Sequence, residues 1–128
     1  MRRVPLFSGC SKGELKQVAR LADEVDLPAG KVLTQQGTPG REFYILLDGT
    51  VTVETDGKLV DTLGAGQFFG ETALISNRPR NATVTASTPL RALVIGGREF
   101  YTLLIDAPLI QWKVLRELAD RLAPREPV

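Results

Sequence analysis

Hydrophobic positions along the chain fall into three regimes. Near the start, Leu15, Val18, Ala19 and Ala22 recur at helical spacing behind Ser11-Lys12-Gly13-Glu14. That tetrapeptide has the spacing of a capping box, with Ser11 as N-cap and Glu14 at the third helical position. From Val25 to Ile95 the apolar runs are short, and Pro28-Ala29-Gly30, Pro39-Gly40, Asp48-Gly49, Asp56-Gly57 and Gly64-Ala65-Gly66 interrupt them as turns. The runs between cover 31–35, 43–47, 51–55, 59–63, 82–86 and 90–95. Residues 51–55 alternate at the strand period, and Asp56-Gly57 after them is a two-residue hairpin signal. Beyond Ile95 helical spacing returns. A short helix is predicted over 98–105, and Pro108 suits the first turn of a second whose apolar stripe is Val114, Leu115, Leu118 and Leu122. Pro124 marks its stop, because the residue before a proline is pushed out of helix.

One helix, about eight short strands and two helices predict an α+β chain built on an antiparallel, jelly-roll-like β-roll. Residues 1–128 read as a single domain, with an N-terminal helical segment over 1–23, the roll over 24–96 and the C-terminal helices over 97–123.

Composition narrows the chemistry. Sixteen basic and fifteen acidic side chains leave a formal net charge of +1, which gives no long-range pull toward nucleic acid or anionic membrane. An anion site in this chain has to be local. There is no histidine, so the commonest metal ligand and the commonest general base are both missing. One cysteine, Cys10, excludes an internal disulfide, and with no membrane-length apolar run and no secretory leader the chain is expected in the cytoplasm.

The stretch from Gly64 to Val84 is unlike the rest of the roll. Glycines let main-chain amides approach a ligand closely, and Glu71 to Ile75 can form one helical turn with free N–H groups at its start. Arg80, set by Pro79, offers a rigid fork of donors matched to phosphate oxygens, and Glu71 can accept from sugar hydroxyls. A cation, a carboxylate and a cluster of amides suit a phosphate joined to a ribose. The plain alternative is a surface ion pair between Glu71 and Arg80. Phe68 and Phe69 read as core residues, and Trp112 as one that packs the last helix onto the roll or onto a second subunit, with stacking on a ligand's ring as the alternative.

Phe69-Gly70-Glu71-Thr72-Ala73-Leu74 and Pro79-Arg80-Asn81-Ala82-Thr83 resemble the phosphate-binding cassette of cyclic-nucleotide-binding domains, here spanning 69–84. Further matches run through nearly the whole chain: Val4-Pro5-Leu6-Phe7, Gly30-Lys31-Val32-Leu33 with Gln36-Gly37, Phe43-Tyr44-Ile45-Leu46 and Gly49-Thr50-Val51. The resemblance implies that Arg80 pairs with the cyclic phosphate and that Glu71, beside the Gly70 amide, accepts from the ribose 2′-hydroxyl. It also implies that the Ala73 and Asn81 amides touch phosphate oxygens, with Thr72, Ala82 and Phe69 framing them. Val60, Leu63 and Val84 match positions that wall the base in catabolite-activator-type members, and Arg121 matches a basic residue of the last helix that approaches the ligand. Two departures stand out. Thr72 replaces a larger aliphatic residue, and Pro124-Arg125-Glu126 falls where those members carry base-contacting polar residues.

The resemblance implies a non-enzymatic sensor whose ligand is cAMP, with cGMP as the alternative and no resident cofactor. A Thr directly after the cassette arginine is linked in the family with cGMP; here Asn81 stands there. Neither nucleic acid nor membrane is an expected partner, a homodimer through the last helix is, and the effector is not identifiable from these residues. The competing readings are the sensor half of a catabolite-activator-type transcription regulator, a degenerate structural domain and a cupin-like enzyme. The last needs several metal-binding histidines that this chain lacks.

Overall fold

A computed structural model describes residues 5–122. A single 3-10 turn, Pro5–Phe7, precedes helix α1, Lys12–Leu21. Ser11 caps it as the spacing predicts: its hydroxyl accepts from the Glu14 amide at 3.1 Å, while the Glu14 carboxylate accepts from the Ser11 amide at 3.1 Å. The inward face differs slightly from expectation. Val18 is buried with Leu15, Leu21 and Ala22 packed around it, whereas Ala19 is exposed.

Eight strands follow: β1 Asp23–Leu27, β2 Val32–Thr34, β3 Glu42–Asp48, β4 Val51–Thr55, β5 Lys58–Leu63, β6 Phe68–Phe69, β7 Thr83–Ala86 and β8 Leu90–Gly96. They form two antiparallel four-stranded sheets, ordered β1-β8-β3-β6 and β2-β7-β4-β5. This is the antiparallel roll expected from the spacing of turns. β1 and β6 lie outside the six apolar runs. The acidic Asp23, Glu24 and Asp26 hide β1, and β6 is only two residues long. Helix α2, Glu71–Ser76, interrupts the roll between β6 and β7, and α3, Gly97–Asp106, and α4, Pro108–Leu122, close the fold.

Strand alternation sorts the core into two layers. On β3, Phe43 and Ile45 face the helices with Phe68, Ile95, Phe100, Leu103, Ile110 and Val114. Tyr44 and Leu46 face the roll interior with Val51, Leu63, Phe69, Val84 and Ala92. The expected stripe on α4 is corrected here. Ile110 and Val114 form its fully buried face, and Leu115 is turned to solvent at 42% exposure. Trp112, expected to pack onto the roll or onto a second subunit, is 60% exposed and does not line the cleft. Val4 and Pro124-Arg125-Glu126 lie outside the described residues.

Candidate functional site

Between α2, the β4–β5 hairpin and the end of α4 lies a cleft of about 350 Å³, within the range of small-molecule sites. All twelve residues singled out above line it: Val60, Leu63, Phe69, Gly70, Glu71, Thr72, Ala73, Arg80, Asn81, Ala82, Val84 and Arg121. Thr34, Val53, Thr55 and Asp61 complete the wall and were not foreseen.

Arg80 is held by main chain on every side. Its amide donates to Thr38 O at 2.8 Å and its carbonyl accepts from the Gly37 amide at 2.8 Å. Its guanidinium donates to Gly70 O at 3.1 Å and Glu42 O at 2.6 Å. The residues just after it are anchored too, since the Thr55 hydroxyl donates to Asn81 O at 3.2 Å and the Thr34 hydroxyl to Ala82 O at 3.1 Å. At 7% exposure, Arg80 makes no ion pair with a carboxylate among the described residues. Burial lowers its pKa from the usual arginine value, while the fields of Tyr44, Glu42 and Glu71 oppose that shift. Carbonyl dipoles orient the fork but leave its charge uncompensated, and a buried, unpaired cation favours an incoming anion strongly.

Two glycines make this arrangement sterically possible. Gly70, the N-cap of α2, has φ +102°, and a Cβ there would lie 2.7 Å from Glu42 O and 3.0 Å from Arg80 Nη1. Gly40, read from sequence only as part of a turn, lies under the guanidinium: a Cβ would meet Ala73 Cβ at 2.5 Å and Arg80 Nε at 2.8 Å. Its role is invisible without the fold, because residues 40 and 80 are brought together by the strands.

Glu71 is fully buried at the first position of α2. It does not pair with Arg80, so the surface ion pair weighed above is not what forms. Its Oε1 accepts instead from Arg121 Nη1 of α4, fifty residues on, and its Oε2 is buried with no hydrogen-bond partner. Burial raises the Glu71 carboxyl above the usual range, and Arg121 pulls it back. Arg121 is fixed in turn by Phe68 O at 2.5 Å, by Glu117 Oε1 at 3.2 Å and by the Phe68 ring, 5.4 Å away. Phe68 and Phe69 are core residues as expected, with Phe69 stacked on Tyr44 at 4.8 Å between centroids. The Tyr44 hydroxyl, buried beside Glu42, is pushed up to about 12.

On the opposite wall, β4 and β5 pair from Thr55↔Lys58 to Val51↔Leu63. The register slips once, since Glu54 faces Leu59 whereas Val53 faces Asp61, which leaves Val60 as the extra residue of a bulge. The bulge explains how Val60, Asp61 and Leu63 all come to line one cleft although strict alternation would divide them. The sequence held a signal for it. A two-residue Asp56-Gly57 turn sets a pairing in which Val60 and Leu63, an odd number of residues apart, face opposite ways.

The profile of the family described as "Cyclic nucleotide-binding domain" matches residues 24–106, which is the roll with the cassette and α3. The chain belongs to that family. It is 36% identical over 118 residues to a cyclic nucleotide-gated potassium channel of Rhizobium etli, covering 92% of this chain and 33% of the channel. It is 37% identical over 108 residues to the cAMP-dependent protein kinase regulatory subunit of Schizosaccharomyces pombe, covering 84% of this chain and 26% of that subunit. The catabolite activator protein of Thermus thermophilus superposes with a TM-score of 0.81 at 27% identity, over 92% of this chain and 58% of that one. The chain thus spans about a third or less of the channel and the regulatory subunit. Channels and regulators, rather than enzymes, are its company. Among the described residues, no helix is long and apolar enough to cross a membrane.

Proposed function

We infer that this cyclic-nucleotide-binding domain takes cAMP in preference to cGMP and reports occupancy through its C-terminal helices, as a sensor rather than a catalyst. The observation that carries the reading is a cleft with a buried cation and a buried carboxylate that do not neutralise each other. Arg80 keeps an uncompensated charge for the cyclic phosphate, and Glu71 Oε2 keeps an unused acceptor for the ribose 2′-hydroxyl. The amides of Gly70, Ala73 and Asn81 are assigned to the same ligand, and Val60, Leu63 and Val84 to its base. The kinase regulatory subunit among the relatives, named for its dependence on cAMP, supports the choice of nucleotide. The lone Cys10 supports a cytoplasmic setting.

Two links lead from the cassette to the helices. The Tyr101 hydroxyl of α3 donates to Leu74 O of α2, and Arg121 of α4 is bound to Glu71. A nucleotide seated on Glu71 Oε2 and on the α2 amides would change the position of both partners, and the Gly96-Gly97 junction is assigned as the hinge. Trp112 and Leu115, exposed on α4, are the residues we assign to a homodimer contact. A second reading, the sensor half of a transcription regulator, is favoured by the superposition on a catabolite activator protein that is longer than this chain.

The test is calorimetric titration of protein freed of carried-over nucleotide by unfolding and refolding. Saturable binding of cAMP, weaker binding of cGMP and little binding of 5′-AMP are expected. Equal affinity for cAMP and 5′-AMP would remove the cyclic phosphate from the account.

A further inference from the structure

With phosphate and ribose assigned to Arg80 and Glu71, a base must lie along the remaining wall of the cleft, which β4 and β5 provide. That wall is apolar at Val53, Val60 and Leu63, with one ionisable exception, Asp61. The β5 bulge at Val60 is what turns this carboxylate toward the cleft, because Asp61 there pairs with Val53 instead of following the hairpin's initial register. Its Oδ1 accepts from the Thr62 amide at 2.7 Å, which fixes the orientation of the carboxylate. Asp61 forms no ion pair among the described residues. A charged acceptor on an apolar wall, held in place and left without a cation, is suited to a neutral donor.

We propose that Asp61 is a base-reading residue that selects an amino group at the purine 6-position. The proposal rests on the nucleotide reading above and deepens it. A carboxylate only accepts hydrogen bonds. Adenine presents an N–H₂ donor at position 6, whereas guanine presents the O6 acceptor there. At position 6 the same carboxylate therefore accepts from adenine and repels the guanine oxygen. The hydrogen bond is made at an exposed position, so its contribution belongs at the low end of the range for charged acceptors, about tenfold in affinity.

The test titrates wild type, Asp61→Asn and Asp61→Ala with cAMP, cGMP and purine riboside 3′,5′-cyclic monophosphate, which carries only hydrogen at position 6. Wild type should prefer cAMP to the 6-unsubstituted ligand by about tenfold and should bind cGMP more weakly still. Asp61→Ala should bring cAMP and the 6-unsubstituted ligand to within about twofold. Asp61→Asn, whose amide can also donate, should recover cGMP affinity relative to cAMP. Both variants should bind the 6-unsubstituted ligand like wild type, which also shows that they are folded. Unchanged selectivity in both variants overturns the role of Asp61 and leaves the nucleotide reading standing. Tighter cGMP than cAMP binding by wild type, lost in Asp61→Asn, means that the residue reads guanine donors and likewise overturns the proposal. Failure of wild type to bind any of the three ligands overturns the underlying reading together with this one.

Discussion

At one end of the cleft, Arg80 and Glu71 are 7% and 0% exposed and are gripped by neighbouring main chain and by Arg121. At the other end, Val60 is 59% exposed and Asp61 sits beside it on β5, an edge strand of its sheet. Both ends face the same space, yet their physics differs. A charge contact made in a buried setting is strong and expensive to lose, because the surviving partner is left desolvated. A contact at an exposed edge is screened, and solvent replaces it when it is lost. Affinity is therefore expected to reside at the cassette and discrimination between bases at the hairpin. The two arginines of the cleft are also held differently. Arg80 is clamped by loop and strand, whereas Arg121, equally cationic, reaches the cleft from α4, which is separated from the roll by α3.

The largest break of the cassette end short of removing Arg80 is Gly70→Ala. A Cβ at φ +102° would lie 2.7 Å from Glu42 O and against Arg80 Nη1, so backbone and guanidinium must both shift. A stability loss of about 1–3 kcal/mol, read by denaturant unfolding, should accompany a severe loss of cAMP affinity. Gly57 also has a positive φ, +78°, but a Cβ there meets nothing, so Gly57→Ala should cost stability through backbone strain while reducing cAMP affinity far less than Gly70→Ala. Equal affinities for the two variants would contradict the account of Gly70.

Glu71 comes next. A 2′-deoxy cyclic nucleotide should bind wild type about tenfold or more weakly than cAMP, and Glu71→Gln should shrink that penalty. The carboxyl also carries a pH signature. Its pKa is raised in the folded state by burial. The stability it contributes is thus fully present below its unfolded pKa and is lost as pH rises through the folded one. Ligand-free wild type should lose stability across that acidic window relative to Glu71→Gln, and a parallel pH dependence of the two proteins would contradict it. Arg121→Gln removes the group that pulls this pKa down, so the window should extend to higher pH.

The smallest expected effect lies in the helices. Hydrogen exchange with and without cAMP should change in residues 70–84 and again in residues 97–122. Arg121→Gln should weaken the second change while leaving the first. A response confined to the cassette would make the domain a passive binder.

How far these regions could be read in advance follows the same division. The capping box, the Asp56-Gly57 hairpin and the cassette each depend on neighbouring residues of unusual type, so local patterns find them. β1 escaped because three of its five residues are acidic, and β6 because two residues make no periodicity. Gly40 under Arg80 and the Arg121–Glu71 pair are contacts between distant segments, for which no local pattern exists. Asp61 was hidden by a one-residue slip. Simple alternation misassigns one side of a bulged strand, and only the conflict between turn and apolar register reveals it.

The central claim is that Arg80 holds an uncompensated buried charge for the cyclic phosphate. The measurement that tests it most directly is calorimetric titration of nucleotide-free wild type and Arg80→Ala with cAMP, alongside their unfolding curves. Truncating one partner of a buried charge contact costs about 2–5 kcal/mol, or roughly 30- to several-thousand-fold in affinity. Arg80→Ala should lose cAMP on that scale while unfolding cooperatively like wild type. A folded Arg80→Ala protein with wild-type affinity would contradict the account.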